Sequence, residues 1–453
     1  MTLESDFYKK KIGLVSLGCP KNLVDSEVML GLLRKDGYII TNNEQEANII
    51  IINTCGFIND AKKESVDTIL EMAALKKNNC ELLIVTGCLA ERYNKQIIDE
   101  IPEVDAVLGT GHFGMITETI RKAYAAEKPV LWGNPGYCDF NGKERLVSTN
   151  NGFAYIKIAD GCNNLCTYCV IPSLRGRYKS RSMEVIIEEA KYLVSCGAKE
   201  LILIAQDTTK YGIDLYDEQK LSALIREISK IEDLEWIRLL YCYPDQINDQ
   251  LIEEISSNDK VCKYIDIPIQ HASDKILKSM GRKGSSSEIE EVITKLRNKI
   301  PEIYIRTTFI VGFPGEEDAD YSILYDFINK IKFERMGVFM YSKEEGTPAS
   351  KIKGHIKKNI KKERYEKLMT LQNKIIIEKN NCRLNKIYDV LVEGVADDGI
   401  FYYGRSYAEA PDIDSLIYFT SNFPLEEGSF VKVKILSSDQ YDLIGVVENE
   451  FTE

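Results

Sequence analysis

Short apolar runs alternate with amphipathic segments through the first 125 residues of the chain. Each apolar run is short enough for one strand, and the segment after it has helical periodicity. The three pairs cover residues 12–17 and 24–35, 48–53 and 58–77, and 82–86 and 89–100. Strands that alternate with helices are typical of a parallel sheet with helices on both faces. We therefore predict a doubly wound parallel α/β domain over residues 10–126.

A second alternating series predicts a larger α/β domain over residues 148–379. Six apolar runs with intervening helical segments lie near residues 154–159, 200–206, 236–241, 264–269, 304–311 and 336–341. Six strand–helix units are too few for a closed eight-stranded barrel, so they favour an open, partial (βα)6 barrel with its active site at the carboxyl ends of the strands. The Gly-, Asn- and Pro-rich stretch 132–144 before it is typical of a linker.

The texture of the chain changes again near its C-terminal end. Residues 351–386 predict a basic helical stretch, and short apolar runs punctuated by turn residues follow it. Such a pattern indicates a small all-β barrel, which we place at residues 382–450. The whole chain is then an α/β protein with an all-β domain at its end.

Composition restricts the functional class. The 453 residues are 44% hydrophobic and carry a net charge of −12, which disfavours a generic nucleic-acid binder. No apolar run approaches the roughly 20 residues of a membrane span, so we expect no membrane association. The polar N-terminus lacks the features of a secretory signal. Twelve cysteines in such a chain indicate a reducing cytoplasm and metal or redox use rather than disulfides.

Three closely spaced cysteines are the strongest chemical feature. Cys162, Cys166 and Cys169 follow the first predicted strand of the second series, with Gly161 before the first and Tyr168 before the last. Soft thiolates select iron–sulfur clusters or zinc. Three ligands can hold three irons of a four-iron cluster and leave the fourth open. A structural zinc site would require a fourth protein ligand nearby, and zinc or a reduced buried trio remains the alternative.

A second set of three cysteines occupies equivalent places in the N-terminal domain. Cys19, Cys55 and Cys88 each follow one of its predicted strands. Because the carboxyl ends of parallel strands share one edge of a sheet, we expect the three thiols to meet in one crevice. Nearby helix N-termini would favour the thiolate form. A second cluster with an open iron is the preferred interpretation, and three unrelated core cysteines are the alternative.

With their surroundings, the two trios resemble the radical S-adenosylmethionine (SAM) methylthiotransferase family over nearly the whole chain. Within this family the motifs are similar to the branch that modifies a ribosomal-protein aspartate. The matching stretches are Ser16–Glu27, Ile204–Thr209, Asp266–His271, Phe309–Glu316 and Gly404–Asp414. The last stretch departs from the usual Asp-Ala-Pro-Glu by having Glu409 and Asp412, swaps that keep the charge.

The resemblance implies two 4Fe–4S clusters, SAM and a radical reaction. The cluster at Cys162, Cys166 and Cys169 would bind SAM and reduce it to a 5′-deoxyadenosyl radical, which takes hydrogen from an aspartate β-carbon in small-subunit ribosomal protein number twelve. The cluster at the other trio would deliver sulfur methylated by a second SAM, so two SAM are used per turnover. No catalytic residue beyond the clusters is implied. A reductant such as flavodoxin or ferredoxin would be a partner.

Five further residues are predicted to line the SAM pocket. Backbone near Tyr168 would meet the adenine, and Gly312 and Gly315 would let the main chain approach the cofactor closely. Gln206 and Arg238 lie near predicted strand ends. His271 is a further candidate, with a hydrogen-bonded structural histidine as its alternative.

Charge distribution favours a protein substrate over tRNA. Residues 383–453 contain five Lys/Arg and fourteen Asp/Glu, which would repel an RNA backbone and attract a basic ribosomal protein. A solvated acidic face without a partner is the alternative. The stretch 351–386 opposes this trend with twelve Lys/Arg against three acids, and it is a possible ribosomal RNA contact or a solvated helix face.

Two other functions stay open, namely a tRNA adenosine methylthiotransferase and a noncatalytic iron–sulfur protein that transfers electrons or binds RNA.

Overall fold

A computed structural model of the protein describes residues 10–133, 145–149 and 152–448. From residue 134 onward, the predicted linker 132–144 lies outside the described residues. Contacts within the chain define two compact units. The first takes in the described parts of Met1–Ser148, Tyr155–Tyr192 and Glu344–Thr347, and the second those of Thr149–Ala154, Leu193–Lys343 and Pro348–Glu453.

The N-terminal region contains a six-stranded sheet in which every neighbouring pair is parallel. Across the sheet its strands are Ile39–Ile40, Lys11–Ser16, Ile49–Thr54, Leu82–Gly87, Ala106–Leu108 and Val130–Leu131. The helices between them are Pro20–Lys35, Asn59–Ala73, Cys88–Glu100 and Ile116–Tyr124. The predicted parallel α/β fold is confirmed. The three short strands Ile39–Ile40, Ala106–Leu108 and Val130–Leu131 were missed because runs of two or three residues are too short to show a period.

The central strands of this sheet explain why the sequence pattern of apolar runs predicted them. All residues of Ile49–Thr54 and of Leu82–Gly87 are buried. Strands covered on both faces are continuous apolar runs rather than alternating ones. Their side chains pack with Ile69, Leu89 and Ile97 of the flanking helices, so burial of apolar surface fixes the register of the sheet.

The second sheet is open and has six strands in chain order. They are Phe153–Lys157, Glu200–Ile204, Trp236–Leu239, Val261–Gln270, Tyr304–Val311 and Arg335–Met340. The main helices of this region are Met183–Ser195, Leu221–Ile228, Asp249–Ser257, Ser286–Lys299 and Asp318–Ile331, and shorter ones are Ile171–Arg175, Ile213–Tyr216 and Asp274–Ser279. A small antiparallel pair joins Ala159–Asp160 to Lys179–Ser180. The predicted partial barrel is confirmed.

The C-terminal region is a long helix followed by a closed five-stranded barrel. The helix is Lys358–Asn381, and the barrel runs in the order Ile387–Val395, Tyr402–Arg405, Ile417–Thr420, Asp442–Val447 and Phe430–Asp439. Alternating residues such as Val390, Val392, Val433 and Ile435 fill its interior. The predicted all-β barrel is confirmed. Within the described part of the chain, no helix is long and apolar enough to cross a bilayer.

The stretch Gly404–Asp414, here called the acidic motif of the barrel, contributes to buried ion pairs of the second unit. Glu409 is fully buried and accepts hydrogen bonds from Arg335, at 2.8 Å, and from Arg383. Arg405 donates to Glu200 at 2.8 Å and to Glu393 at 2.7 Å. These acids are neutralised inside the fold, so the acidic surface that the sequence suggested is smaller than the count of Asp and Glu.

Replacing Glu409 by Gln is expected to destabilise the protein by about 3–5 kcal/mol at pH 7, because Arg335 and Arg383 would lose their buried partner. Burial opposes ionisation of Glu409, but Arg383 and Arg335 outweigh it and lower its pKa to about 2. Since the folded pKa lies below the usual 4.5, this stability is present above that pH and lost as pH falls toward 2. The free energy of unfolding of the iron-free protein, measured in urea at several pH values, checks this.

The matched control is Glu427→Gln, which changes an exposed acid of the same barrel. We expect it to alter the free energy of unfolding by less than about 0.5 kcal/mol. Equal stabilities of E409Q and E427Q at pH 7 would contradict the prediction.

Candidate active site

In chain order, Cys19, Cys55 and Cys88 are the first trio, and Cys162, Cys166 and Cys169 are the second. The cysteines of the first trio all lie at the carboxyl edge of the N-terminal sheet. Cys19 caps the helix Pro20–Lys35 just after the first strand. Cys55 directly follows Ile49–Thr54, and Cys88 directly follows Leu82–Gly87 and begins the next helix. Three residues separated by more than 30 positions in the chain therefore lie on neighbouring loops, because their strands are neighbours in the sheet.

Two glycines bring these loops into direct contact. Gly18 has φ +93°, and a Cβ there would lie 2.9 Å from Cβ and 3.2 Å from Sγ of Cys55. A Cβ on Gly56 would lie 2.9 Å from the carbonyl group of Cys88. Any larger side chain at either position would push two cysteine loops apart, so glycine is required for close approach here.

The side-chain amide of Asn22 joins all three loops. Its Nδ2 donates to the carbonyl of Leu17 at 2.9 Å and to that of Thr54 at 3.0 Å. Its Oδ1 accepts from Sγ of Cys88 at 3.8 Å and from Nη2 of Arg175 at 2.6 Å. Three of these bonds fix an atom at or within two residues of a cysteine of the first trio, and the fourth reaches Arg175. The amide is therefore the structural centre of the first trio.

The second trio lies in one tight loop. Cys162 and Cys166 are buried, and Cys169 is half-buried. Sγ of Cys162 accepts the backbone N–H of Asn164, and Sγ of Cys169 accepts that of Ile171, each at 3.4 Å. Backbone N–H groups aimed at sulfur stabilise negative charge on a thiolate.

Gly161 determines how this loop begins. It has φ +74°, and a Cβ there would lie 2.1 Å from the carbonyl oxygen of Arg177. Only glycine fits so close to the backbone that leads into the strand Lys179–Ser180. The sequence singled out this glycine beside the motif, and the structure supplies the physical reason for it.

The two trios belong to the same unit and are near each other. Cys88 packs with Val170 and Leu174, the apolar residues that follow Cys169. Thr110 Oγ1 donates a hydrogen bond to the carbonyl of Leu174. Sequence spacing did not predict this contact, which places the first trio beside the helix that follows the second.

The thiols of the first trio differ in acidity. Burial opposes ionisation of Cys19, but Lys21, Arg175 and two backbone N–H groups outweigh it and lower its pKa. Burial raises the pKa of Cys55, and raises that of Cys88 to about 12. The expectation that all three thiols are activated is therefore correct for Cys19 alone.

Both trios have the donor chemistry of an iron–sulfur site. Each supplies three soft sulfur ligands in a shielded environment, with N–H groups or a cation directed at the sulfurs. Among the residues that the structure describes, no three Cys, His, Asp or Glu side chains stand ready-made as a metal-binding group. The residue types fit such a cluster, and its exact coordination stays a prediction.

The predicted SAM-pocket residues lie in two parts of the chain. Tyr168 is half-buried in the loop of the second trio, and Gln206 is half-buried just beyond the strand Glu200–Ile204. Gly312 and Gly315 have φ +73° and +83°, which glycine adopts without strain. A Cβ on Gly312 would meet Lys361, so its close approach within the second unit is to a side chain of this protein.

His271 and Glu316 form a buried pair after two neighbouring strands. Nδ1 of His271 accepts the backbone N–H of Ser273 at 2.9 Å, and its Nε2 lies 3.6 Å from Oε2 of Glu316. The same Glu316 oxygen accepts the backbone N–H groups of Gly312 and Phe313. These contacts support the alternative that His271 is a hydrogen-bonded structural histidine. Glu316, to which the sequence assigned no role, holds the backbone of the loop that contains Gly312.

Arg238 has a different environment from the one the sequence suggested. Its guanidinium is fully buried, pairs with Glu200 at 2.5 Å and donates to the carbonyl of Tyr407 at 2.7 Å. These contacts join the sheet of the second unit to the acidic motif of the barrel. Its hydrogen bonds go to Glu200 and to the carbonyls of Tyr407 and Ser406, and its role in a SAM pocket stays a prediction.

Two residues of the site escaped sequence reasoning as functional groups. Asn22 lies in the first cysteine motif, and Arg175 ends the short helix after the second. The available signal was a charged residue, Arg175, directly after the mostly apolar stretch Val170–Leu174. Only the structure shows that the two side chains meet.

We expect the thiols of the first trio to react with iodoacetamide in the order Cys19, Cys55, Cys88 in the iron-free protein at pH 8. With a pKa of about 12, Cys88 is thiolate in only on the order of one molecule in ten thousand at that pH. Peptide mass spectrometry after timed alkylation measures the three rates. In urea the three rates should become similar, and a Cys88 that reacts as fast as Cys19 in the folded protein would refute the order.

Comparison with known proteins agrees with the geometry. Three family models match in succession: the Uncharacterized protein family UPF0004 over residues 11–109, the Radical SAM superfamily over residues 156–328 and the TRAM domain over residues 386–447. Among solved structures, a radical SAM methyltransferase, TsrM, from Kitasatospora setae is similar in fold, with a TM-score of 0.54 and 14% identity over 75% of this chain and 77% of that one.

Curated relatives match nearly the full length. The ribosomal protein uS12 methylthiotransferase RimO of Acetivibrio thermocellus is 57% identical over 98% of this chain and 99% of its own length. The proteins of the same name from Clostridium botulinum and Thermoanaerobacter sp. are 54% and 51% identical, over 98% and 96% of this chain and 99% of their own length in each case. The chain therefore belongs to the RimO type of the radical SAM methylthiotransferase family.

Proposed function

We propose that this enzyme transfers a methylthio group to the β-carbon of an aspartate in ribosomal protein uS12. The proposal is supported by relatives of that name that cover nearly the whole chain. The observation that carries it is the pair of cysteine trios held side by side in one unit, since one site alone would only break SAM. A second site next to it is what sulfur delivery requires.

We further propose that each trio holds one 4Fe–4S cluster with an open iron. Cys162, Cys166 and Cys169 would bind the cluster that takes SAM, and Cys19, Cys55 and Cys88 would bind the one that carries sulfur. When bound, clusters and SAM supply the homolytic chemistry that no side chain provides, with two SAM consumed per turnover. A flavodoxin or ferredoxin would supply electrons.

The residues of the chain have a supporting task in this scheme. They bind and orient the reactants and exclude water, which an organic radical requires. Burial of Cys162 and Cys166 and of the apolar pair Val170 and Leu174 shields the region between the trios. We assign sulfur delivery to residues 10–126, radical formation to residues 148–379 and recognition of the substrate to residues 382–450.

The surface of the barrel supports a basic protein partner. Its exposed acids are Asp389, Asp397, Asp398, Asp412, Glu426, Glu427, Asp439 and Glu448. Charge of this sign attracts a basic ribosomal protein and raises the rate of association. The exposed lysines of Lys358–Asn381, such as Lys362 and Lys374, are suited to a ribosomal RNA contact. A ribosomal substrate would place the enzyme in the cytoplasm.

Mass spectrometry of ribosomal proteins and of tRNA, from cells with and without this gene, tests the proposed function. We expect a methylthio mass increment on uS12 that depends on the gene. Complementation with Cys166→Ala or Cys55→Ala should fail to restore it. The purified Cys166→Ala enzyme should form no 5′-deoxyadenosine, whereas Cys55→Ala should still form it, because only the second trio is needed to cleave SAM.

Different results would overturn different parts of the proposal. An increment on tRNA adenosine alone would make the enzyme a tRNA methylthiotransferase. Wild-type 5′-deoxyadenosine from Cys166→Ala would remove the assigned SAM site, and unchanged uS12 product from Cys55→Ala would remove the assigned sulfur site. No SAM cleavage by the reduced wild-type enzyme would favour a noncatalytic iron–sulfur protein.

Gly18→Ala is expected to remove iron from the first trio alone. A methyl group there would sit 3.2 Å from Sγ of Cys55 and displace it. After anaerobic reconstitution we expect about half the wild-type iron and retained SAM cleavage, since each cluster contributes an equal share.

The matched control for this variant is Gly197→Ala. Gly197 also has positive φ, at +106°, but a Cβ there meets nothing within 4 Å. Gly197→Ala therefore has similar backbone strain without the contact, and we expect the iron content of the wild-type protein. Full iron in Gly18→Ala would show that the Gly18 loop does not constrain the site.

A further inference from the structure

A buried guanidinium lies between the two cysteine trios. Arg175 ends the helix Ile171–Arg175, six residues after Cys169, and its side chain is only 2% exposed. Its Nη1 donates to Oδ2 of Asp160 at 3.0 Å. Its Nη2 donates to Oδ1 of Asn22 at 2.6 Å and lies 3.1 Å from Oδ2 of Asp25. One side chain thus contacts the helix that follows Cys19 and the short strand that precedes Cys162.

Each partner of Arg175 is itself tied to a cysteine loop. Asp160 precedes Cys162 by two residues, and its Oδ1 accepts the backbone N–H of Gly161 at 2.9 Å. Asn22 holds the loops of the first trio through the carbonyls of Leu17 and Thr54. A shift of the guanidinium would therefore move backbone on both sides, since every link in this path is a hydrogen bond between buried or part-buried groups.

A second cation makes the arrangement neutral. Nζ of Lys157 lies 2.5 Å from Oδ1 of Asp25 and 2.9 Å from Oδ2 of Asp160. Two cations and two carboxylates thus alternate around a closed ring, Arg175, Asp25, Lys157 and Asp160. Buried charges are held in place by their partners, so the ring allows few alternative positions for these side chains.

Arginine is the residue type that this position requires. Its planar guanidinium presents donors along two edges at fixed angles, and here one edge faces Asp160 while the other faces Asn22 and Asp25. A lysine ammonium is a point charge and cannot hold both sets of acceptors in one geometry. With lysine in place of Arg175, the charge would be kept, but the hydrogen bonds that join the surroundings of both trios would be lost.

We propose that Arg175 is a positioning residue that fixes the loop of the second trio against that of the first, and so sets the path over which sulfur reaches the substrate radical. This inference rests on the proposed function. Transfer between two sites depends on geometry, and a displacement of about 1 Å lowers such a rate on the order of a hundredfold. SAM cleavage uses the second trio alone and does not depend on that distance.

Arg175→Lys in the reconstituted full-length enzyme tests the proposal, with SAM, dithionite and purified uS12. The measured quantity is methylthio product per 5′-deoxyadenosine formed. We expect iron content and SAM cleavage close to wild type, and a fall in that ratio of about tenfold or more. A loss of folded protein would lower both quantities together and leave the ratio unchanged, so the ratio separates positioning from stability.

A second readout requires no bound cluster and no turnover. In the iron-free protein, backbone hydrogen exchange in residues 17–25 and 158–176 should be faster in Arg175→Lys than in wild type, in both stretches at once. Faster exchange near residue 175 alone would contradict the link, because the hydrogen bond to Asn22 is what couples the two stretches.

Arg145→Lys is the matched control. Arg145 is equally buried in the same unit and pairs with Glu27 and Glu189, while its remaining hydrogen bond goes to the carbonyl of Tyr155. We expect its product ratio and the exchange of residues 158–176 to match wild type. An equal fall in the ratio for both variants would overturn the specific role of Arg175.

Asp160→Asn provides the test if Arg175→Lys does not fold. The amide oxygen can still accept the N–H of Gly161, whereas the negative charge that holds Arg175 is lost. The same fall in the product ratio is expected, and a wild-type ratio would refute the proposal. A wild-type enzyme that makes no methylthio product would refute the proposed function instead, while the exchange experiment would still report on the link.

Discussion

The four hydrogen bonds of the Asn22 amide hold together parts of the chain that are far apart in sequence. Two carbonyls, one thiol and one guanidinium meet at a single planar group. An amide has two donors and one accepting oxygen with two lone pairs, so all its capacity is used. The cysteine loops of the first trio and the helix after the second are positioned through this group, and the rest of the candidate site depends on it.

Buried charge has the same organising part in the second unit. The motif that contains Glu409 resembles a family signature in sequence, and in three dimensions it is an internal ion-pair network with Arg335 and Arg383. Arg405 extends this network to Glu200. The charge count of residues 383–453 was correct as a sum. It overstated the acidic surface, since a sum cannot distinguish an exposed carboxylate from one enclosed by arginines.

Much of the fold was predictable because its signals are local. The central strands Ile49–Thr54 and Leu82–Gly87 are continuous apolar runs, and the barrel strands alternate. Edge strands such as Ile39–Ile40 were missed because pairing, not side-chain pattern, defines them. For the site, the positions of the cysteines after strands followed from topology. The buried contacts of Arg238 with Glu200 and Tyr407 were not predictable, because a strand-end position does not reveal which residues surround the side chain.

The sequence by itself determined the order of the three folds, the two cysteine trios and the family. Each is encoded in short stretches of the chain, as apolar period or as residue spacing. Tertiary structure alone decided that the trios are neighbours, that Cys19 is the acidic thiol of its set and that Arg175 contacts residues beside both trios. The physical reason is distance: hydrogen bonds and burial act through space between residues such as Asn22 and Arg175, which lie 153 positions apart in the chain.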